Sequence, residues 1–153
     1  MAQTVLNGID EVRKAVGNHL GHSEWLEITQ ERVHLFADAT GDHQWIHVDP
    51  ERAKSSPFGG TIAHGYLTLS LAPSLIREVL QVDGVRMGVN YGLNKLRFPA
   101  PVPVGSKLRV GVRLAAVDDV GGGGVQVTID ATFEVEGEEK PVCVAQILSR
   151  YYS

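Results

Sequence analysis

TIAHGYLTLSLAPSLIREVL, residues 61–80, is the stretch of this sequence that decides the fold. Apolar residues lie on nearly every side of the helix that it predicts, which is typical of a helix buried inside a protein rather than lying on its surface. Pro73 should kink or divide this helix, because proline lacks an N–H donor and clashes with the preceding turn. The stretch therefore predicts a central helix that other elements must cover.

After Asp83 the apolar residues change to the two-residue alternation that is typical of β-strands. The alternation predicts strands over residues 107–117, 125–136 and 141–152, and a further strand over residues 84–97. Turns join these segments, so we expect an antiparallel sheet. Helices followed by a run of strands indicate an α+β fold, in which the apolar face of the sheet wraps the central helix.

The segment before the central helix contains shorter elements. Residues 7–17 place apolar residues at near-helical spacing, and residues 25–28 indicate a short strand. Thr29 is a suitable N-cap for a second helix, which should end before Gly41. Residues 42–60 contain two prolines and two glycines, so they predict a long structured loop.

The composition is that of an ordinary globular protein. The 153 residues are 43% apolar and 21% charged, which excludes a disordered chain and fits one domain over residues 1–153. Every apolar stretch is shorter than the ~18 residues of a membrane span. With 14 basic and 18 acidic residues, the net charge of −4 offers no basic surface for nucleic acid. One cysteine and no visible secretory signal predict a cytoplasmic location.

Two short motifs have simpler explanations than the binding sites that they suggest. The run Gly121 to Gly124 lies between strand-like segments and lacks the helix and Lys-Ser/Thr of a phosphate loop, so it predicts a hairpin turn. His43 and His47 have the spacing of a zinc protease motif, but Gln44 stands in place of the catalytic glutamate. Cys143 has no partner nearby, and we expect a buried, inert thiol.

The segment FADATGDHQWIHVDPERA, residues 36–53, contains the candidate catalytic pair. Asp42 and His47 are five residues apart, which suits one face of neither a helix nor a strand. They converge only if Asp42 closes a helix and the chain then turns, as Gly41 allows. A carboxylate and an imidazole held together in a loop can share a water molecule and move its proton. In the alternative interpretation, Asp42 caps a turn and His47 packs in the core.

This segment resembles the hydratase motif of the MaoC-like dehydratases, the (R)-specific enoyl-CoA hydratases of the hotdog fold. The residues that match this motif in register are Phe36, Thr40, Gly41, Asp42, Ile46, His47 and Ala53. Gln44 and Trp45 stand where the family has Asn-Pro. In this respect the sequence resembles the branch of the family that includes the nodulation protein N-like members. The replacement alters the loop but leaves both expected catalytic side chains in place.

The resemblance extends over about residues 30–150. The segment PFGGTIAHGYLTLSL, residues 57–71, is similar to the start of the family's central helix, and residues 93–110 are similar to the strand and turn that follow. The resemblance implies that the Gly65 amide donates to the thioester carbonyl. It implies for His64 a structural or loop-orienting role.

The reaction that the resemblance implies is reversible syn addition of water to a trans-2-enoyl-CoA, giving a (3R)-3-hydroxyacyl-CoA. Asp42, His47 and Gly65 are then the expected catalytic residues of a hydro-lyase: the pair holds the water, and the amide stabilises the enolate. This chemistry requires no metal and no redox cofactor. The alternatives are an acyl-CoA thioesterase, which the hotdog fold also hosts, and a non-catalytic acyl-binding subunit.

Substrate contacts and partners follow from the same resemblance. Candidates for the phosphates of coenzyme A are the basic residues Lys95, Arg97, Lys107 and Arg109, and candidates for the acyl tunnel are Trp45, Phe58, Tyr66 and Leu69. A solvated strand face and an ordinary core are the alternative explanations for these two groups. Because an open sheet edge needs protection, we expect a homodimer with active sites at its interface, and neither a nucleic acid nor a membrane partner.

Overall fold

Residues 3–153 are described by a computed structural model. The helices are α1 (Ile9–Lys14), α2 (Gln30–Thr40), α3 (Trp45–Val48), α4 (Pro50–Ala53), α5 (Gly65–Ser70) and α6 (Ala72–Val79). The strands are β1 (Thr4–Asn7), β2 (His19–His22), β3 (Leu26–Glu27), β4 (Leu80–Asp83), β5 (Met87–Arg97), β6 (Lys107–Gly121), β7 (Gly124–Val135) and β8 (Cys143–Tyr152).

The main sheet has the strand order β2-β6-β7-β8-β5, with β3 also paired to β6. All of its neighbouring strands are antiparallel. The α+β prediction is therefore confirmed, and the four predicted strands correspond to β5 through β8. Three short strands were not predicted: β1 and β4, which form a separate parallel pair, and β2. These strands have four residues each, too few for alternation to stand out.

The core lies between the inner face of this sheet and the central helical segment. Leu108, Val110 and Val112 of β6 are fully buried, as the alternation predicts, and they belong to one apolar cluster with Leu67 of α5 and Leu75 of α6. Each such side chain contributes roughly 1.5–3 kcal/mol when it is fully removed from water. This cluster holds the start of α5 in place, where the candidate site lies.

The central helix is divided, as predicted, but it is shorter than residues 61–80. The break falls at Leu71, so that Pro73 lies in the first turn of α6, where a missing N–H costs nothing. Residues 61–64 are extended because their backbone pairs with other segments: Ile62 N–H donates to the Ile46 carbonyl (3.0 Å), and Ala63 N–H to the Val102 carbonyl (2.8 Å). The expectation of burial on all sides was wrong, because Tyr66 is exposed.

Several local predictions are confirmed. Gly121, Gly122 and Gly123 have φ values of +83°, +61° and +74° and form the turn between β6 and β7. The loop predicted over residues 42–60 is interrupted by α3 and α4, each a single turn. Across residues 3–153, no helix combines the length and the hydropathy that crossing a bilayer requires.

Candidate active site

The end of α2 places Asp42. Thr29 caps the start of this helix by accepting a hydrogen bond from the Arg32 amide, and Gly41 ends it with a left-handed backbone (φ +82°), as predicted. This turn directs the chain back across the helix end. Gln44 N–H then donates to Asp42 Oδ1 (3.3 Å), which holds the carboxylate in the turn while leaving the residue exposed.

His47 lies in the single turn α3, and only 7% of its surface is exposed. Its Nδ1 lies 2.7 Å from the carbonyl oxygen of Ile62. Because a carbonyl oxygen only accepts, Nδ1 carries the proton in this contact, and the neutral ring presents an unprotonated Nε2. The contact therefore selects the tautomer that can accept a proton from water.

Gln30 supports the backbone of this loop, a role that the sequence analysis missed. Its Nε2 donates to the His47 carbonyl (2.7 Å), and its Oε1 accepts from the Thr61 hydroxyl (2.6 Å). One side chain thus ties α2 to the two segments that lead into the site. No motif marks Gln30, because its role depends on contacts that are distant in sequence.

His64 joins the two halves of the site. Its Nε2 donates to the backbone carbonyl of Asp42 (3.0 Å), and its ring stacks on His47 and contacts Phe36. The predicted loop-orienting position is therefore observed. The Nδ1 atom of His64 is buried and has no hydrogen-bond partner within residues 3–153.

Asp42 and His47, the predicted catalytic pair, lie close together in the structure, with His64 beside them. One ligand atom from each of Asp42, His47 and His64 lies within 4.8 Å of the others. Two hydrogen bonds of about 2.8 Å through one water molecule span such a gap. The same three atoms are also close enough to surround a small cation.

Burial is the main electrostatic influence on His47. It lowers the pKa of this imidazole below the ordinary value of 6.5, and the neighbouring His64 acts in the same direction. The hydrogen bond to Ile62 and the charge of Asp42 oppose the shift without cancelling it. At neutral pH His47 is therefore neutral, which is the state that a proton acceptor needs.

Gly65 follows His64 and begins α5, so its amide has no acceptor within the helix. The ring of Phe98 packs directly over Gly65: a Cβ at this position would lie 2.9 Å from two ring carbons. Phe98 also meets Tyr66 edge to face. Phe98 was not predicted as a neighbour of the site, because it lies far from Gly65 in the sequence, just after β5.

The expected substrate residues lie in different surroundings. The Trp45 ring is covered by the guanidinium of Arg52, while Phe58 and Tyr66 are 47% and 66% exposed. Lys95 lines a groove on the outer face of the sheet. Arg97 is exposed at the end of β5, next to Phe98.

A cleft of about 750 Å³ lies between the central helices and the edge of the sheet. Leu69, one of the expected tunnel residues, lines it together with Ala72, Pro73 and Ile76. The helix α5, which begins at Gly65, brings Leu69 to the wall of this cleft.

Comparison with known proteins identifies the family of this chain. The sequence profile described as MaoC like domain matches residues 11–136. A 3-hydroxyacyl-thioester dehydratase Z of Mycobacterium tuberculosis is 57% identical over 143 residues, which cover 94% of this chain and 95% of that protein. Nodulation protein N of Rhizobium leguminosarum bv. viciae is 44% identical over 137 residues, which cover 88% of this chain and 85% of that protein.

Solved structures agree on the fold. An (R)-hydratase of Pseudomonas aeruginosa superposes with a TM-score of 0.71 at 25% identity, covering 90% of this chain and 82% of that one. A monoamine oxidase regulatory protein of Archaeoglobus superposes with a TM-score of 0.77 at 23% identity, covering 96% and 97%. The expected hotdog fold and hydro-lyase class are confirmed, and this chain belongs to the MaoC-like dehydratase family.

Proposed function

We propose that this chain catalyses the reversible syn hydration of a trans-2-enoyl-CoA to a (3R)-3-hydroxyacyl-CoA. The observation that carries the proposal is that ligand atoms of Asp42 and His47 lie within 4.8 Å of each other and of His64, directly after which Gly65 begins α5. The relatives named as a 3-hydroxyacyl-thioester dehydratase and as an (R)-hydratase support the same chemistry.

The proposed reaction begins with one water molecule held between Asp42 and His47. The β-carbon accepts the water oxygen only when negative charge can move to the thioester oxygen, and the Gly65 amide stabilises that charge. Loss of a donor of this kind typically costs about 2.7–4 kcal/mol of transition-state stabilisation.

The proton balance follows from the protonation state of His47. Its neutral ring has no proton on Nε2 to give, so the proton that reaches the α-carbon must first come from the water. In the proposed sequence Nε2 takes this proton as the C–O bond forms, and then passes it to the α-carbon. Because the water and Nε2 lie on one face of the double bond, both groups add on that face.

A direct test uses crotonyl-CoA, following the loss of enone absorbance and the release of free thiol in the same sample. We expect loss of the enone without thiol release. His47→Gln should lower kcat by about 10²–10⁴-fold, which is the usual contribution of a positioned acid or base. Asp42→Asn, which misplaces the water, should lower kcat by about 10²-fold. Asp38→Asn, an exposed carboxylate paired with His43, is the matched control and should keep full activity.

Two results would overturn the proposal. Thiol release without loss of the enone signal would identify a thioesterase. Full activity of Asp42→Asn and His47→Gln would show that the pair takes no part in the reaction. Absence of turnover with any thioester would favour the non-catalytic acyl-binding subunit.

We propose that the reaction requires no metal ion. We infer that a water, not an ion, occupies the space between Asp42, His47 and His64. Activity should therefore survive treatment with a chelator and removal of trace metals. Loss of activity that a divalent ion restores would contradict this.

We infer that Arg97 binds a phosphate, because it lies at the end of β5, beside the Phe98 ring that covers Gly65. Lys95 and the aromatic residues Trp45, Phe58 and Tyr66 stay as predicted contacts. Arg97→Ala should raise KM for crotonyl-CoA but not for the corresponding pantetheine thioester, which lacks the nucleotide.

We propose a homodimer that forms through β5. This strand lies at the end of the sheet and carries exposed apolar side chains, including Val89, Tyr91 and Leu93. Pairing of β5 with its copy would satisfy the open edge and cover these side chains. Sedimentation at micromolar concentration should give a dimer, and Leu93→Lys should shift it toward monomer.

We propose a cytoplasmic location, because a reducing compartment suits the single buried thiol.

A further inference from the structure

The cleft beside the central helices is lined by a helical face that begins at Gly65. Leu71, which separates α5 from α6, has a right-handed helical backbone (φ −79°, ψ −10°), so the turns of α5 continue into α6. Residues that follow Gly65 by four, eight and eleven positions therefore share its side of the helix. These residues are Leu69, Pro73 and Ile76, and all three line the cleft.

Contacts with β5 and β8 give the direction of the cleft. Phe98, just after the end of β5, packs over Gly65 at the start of α5. Near the start of β5, the Tyr151 ring packs on Gly88, where a Cβ would lie 2.9 Å from Tyr151 Cε1. Arg77, in the last turn of α6, is close enough for its charge to act on Tyr151. The cleft therefore runs away from Gly65, toward the end of α6 and the start of β5.

Apolar side chains form much of the wall of this cleft, whereas Arg77 brings a cation to its far end. Leu93 and Ile147 of the sheet line the cleft opposite the helices. Within residues 3–153, the Arg77 side chain makes no hydrogen bond or ion pair, although its backbone carbonyl accepts from Gln3. The guanidinium is therefore available to an anionic group that enters the cleft.

Two further polar side chains line the cleft. Burial raises the pKa of Tyr151, and the charge of Arg77 opposes that shift without cancelling it, so the phenol is protonated at neutral pH and can donate a hydrogen bond. Asp83 adds a negative charge, but Gln81 Nε2 donates to its Oδ1 (2.7 Å) and no ion pair joins it to Arg77 in the described part of the chain. The cation is thus weakened by Asp83 but not occupied.

We propose that Arg77 and Tyr151 select acyl groups that end in a carboxylate, so that the preferred substrates are CoA thioesters of medium-chain dicarboxylic acids. The planar guanidinium suits the two oxygens of a carboxylate, and the phenol can donate to one of them. The apolar walls suit the methylene groups between the thioester and the carboxylate. This inference rests on the proposed function, which puts the thioester carbonyl at the Gly65 amide.

The spacing along the helices sets the length of the chain. Gly65 and Arg77 are twelve residues apart, which corresponds to about 18 Å along a continuous helix. The Arg77 side chain covers part of this distance, and the acyl chain must cover the rest. A crotonyl group is therefore too short to reach the guanidinium. Because Arg77 lies far from the reacting carbons, it is a specificity-determining residue, and its loss should affect KM more than kcat.

Kinetics on matched substrates test the proposal. Pairs of trans-2-enoyl-CoA thioesters of equal length, ending in a methyl group or in a carboxylate, are compared over chains of about six to twelve carbons. We expect the ratio of kcat/KM, carboxylate over methyl, to rise with length until the chain reaches Arg77. Arg77→Gln should then lower this ratio about fivefold, as expected for one partly exposed ion pair, and Arg77→Glu should lower it further. Arg113→Gln, which alters an arginine paired with Asp130 on the outer face of the sheet, is the matched control and should keep the wild-type ratio.

Binding of saturated acyl-CoA thioesters separates this inference from the proposed hydration, since these ligands cannot be hydrated. Calorimetry with octanoyl-CoA and with the thioester of the matching dicarboxylic acid should show the same Arg77-dependent preference, even in a chain that turns over no crotonyl-CoA. Pro73→Trp, at an exposed position of the lining, should weaken the binding of both ligands by narrowing the cleft. Equal affinities in the wild-type chain, a preference that survives Arg77→Gln, or unchanged binding in Pro73→Trp would overturn the inference, while turnover of crotonyl-CoA would still support hydration.

Discussion

The imidazole rings of His47 and His64 stack on each other, with centroids 3.8 Å apart and planes inclined by 25°. Two protonated rings at this separation would repel strongly inside the protein, because burial weakens the screening by water. The stack therefore favours the neutral form of His47, in the same direction as its burial. It also means that His64, which holds the Asp42 carbonyl, positions both members of the catalytic pair at once.

Removal of the His64 ring should reduce turnover more than substrate affinity. His64→Ala deletes the donor to the Asp42 carbonyl and the surface on which His47 rests, so both groups lose their alignment. Because small displacements at an active site can cost about 10²-fold, we expect kcat to fall by roughly 10–100-fold with KM nearly unchanged. Steady-state kinetics on crotonyl-CoA measures this split.

The control for His64 is an exposed histidine in another part of the fold. His19→Ala, in β2, should leave kcat and KM as they are. If His64→Ala loses stability in a thermal melt but keeps kcat below its melting temperature, the residue is only structural and the positioning role is wrong.

The pH dependence of hydration should follow the lowered pKa of His47. Burial disfavours the charged ring, so its pKa in the folded enzyme lies below 6.5. The proposed base must be neutral; activity is therefore full near pH 7 and is lost as the pH falls through this lowered pKa. A profile of kcat/KM against pH should place the midpoint of the acidic limb below 6.5.

The opposite profile would exclude the proposed role. An enzyme that needs the protonated ring would lose activity as the pH rises through the same pKa. His47→Gln is the control: whatever activity it retains should lack the limb that belongs to this residue.

Gly65 should tolerate no side chain while Phe98 covers it. In Gly65→Ala, the new Cβ would lie 2.9 Å from two carbons of the Phe98 ring, so ring and helix must move apart. Overpacking of this kind typically costs about 1–3 kcal/mol of folding free energy, and the displaced amide should lower kcat as well. Chemical denaturation and enone turnover measure the two effects.

Two further variants make this prediction specific. Gly60→Ala should be nearly neutral, because a Cβ there meets nothing within 4 Å. Phe98→Leu should restore much of the stability lost in Gly65→Ala, through a coupling between residues in contact. If the losses of folding free energy in Gly65→Ala and Phe98→Leu simply add in the double variant, the contact with Phe98 is not what destabilises Gly65→Ala.

Cys143 should be unreactive in the folded protein. Its thiol is fully buried, and burial raises its pKa to about 11. At pH 8 only about one thiol in a thousand is then ionised, and a reagent must also reach it through the core. A chromogenic disulfide reagent should detect no thiol in the native state and one per chain in denaturant. Rapid labelling of the native protein would contradict this.

Patterns that repeat along the chain let the sequence alone determine the class of the fold. The alternation in β6 and β7 and the density of apolar residues around Leu67 and Leu75 predicted a sheet packed on a central helix. Pro73 predicted the division of that helix, since the lack of an N–H is a property of the residue itself. Gly41 predicted the turn that ends α2, because a left-handed backbone favours glycine.

The candidate pair could be predicted for a similar reason. Asp42 and His47 are close in sequence and lie within a motif, so their convergence required only a helix end and a turn. Short strands such as β2 and β4 escaped prediction, because their pairing partners lie 60 or more residues away. A four-residue segment carries too few side chains to show a period.

The tertiary structure decided everything that depends on contact between distant segments. It placed Ile62 against His47 and so selected the tautomer, it brought Gln30 to the same loop, and it laid Phe98 over Gly65. It also aligned His19 with His22 through a bulge whose position depends on β6. These relationships arise when the chain closes around its core, and no local pattern encodes them. The sequence by itself determined which groups are present and which elements they occupy, whereas packing decided which atoms meet.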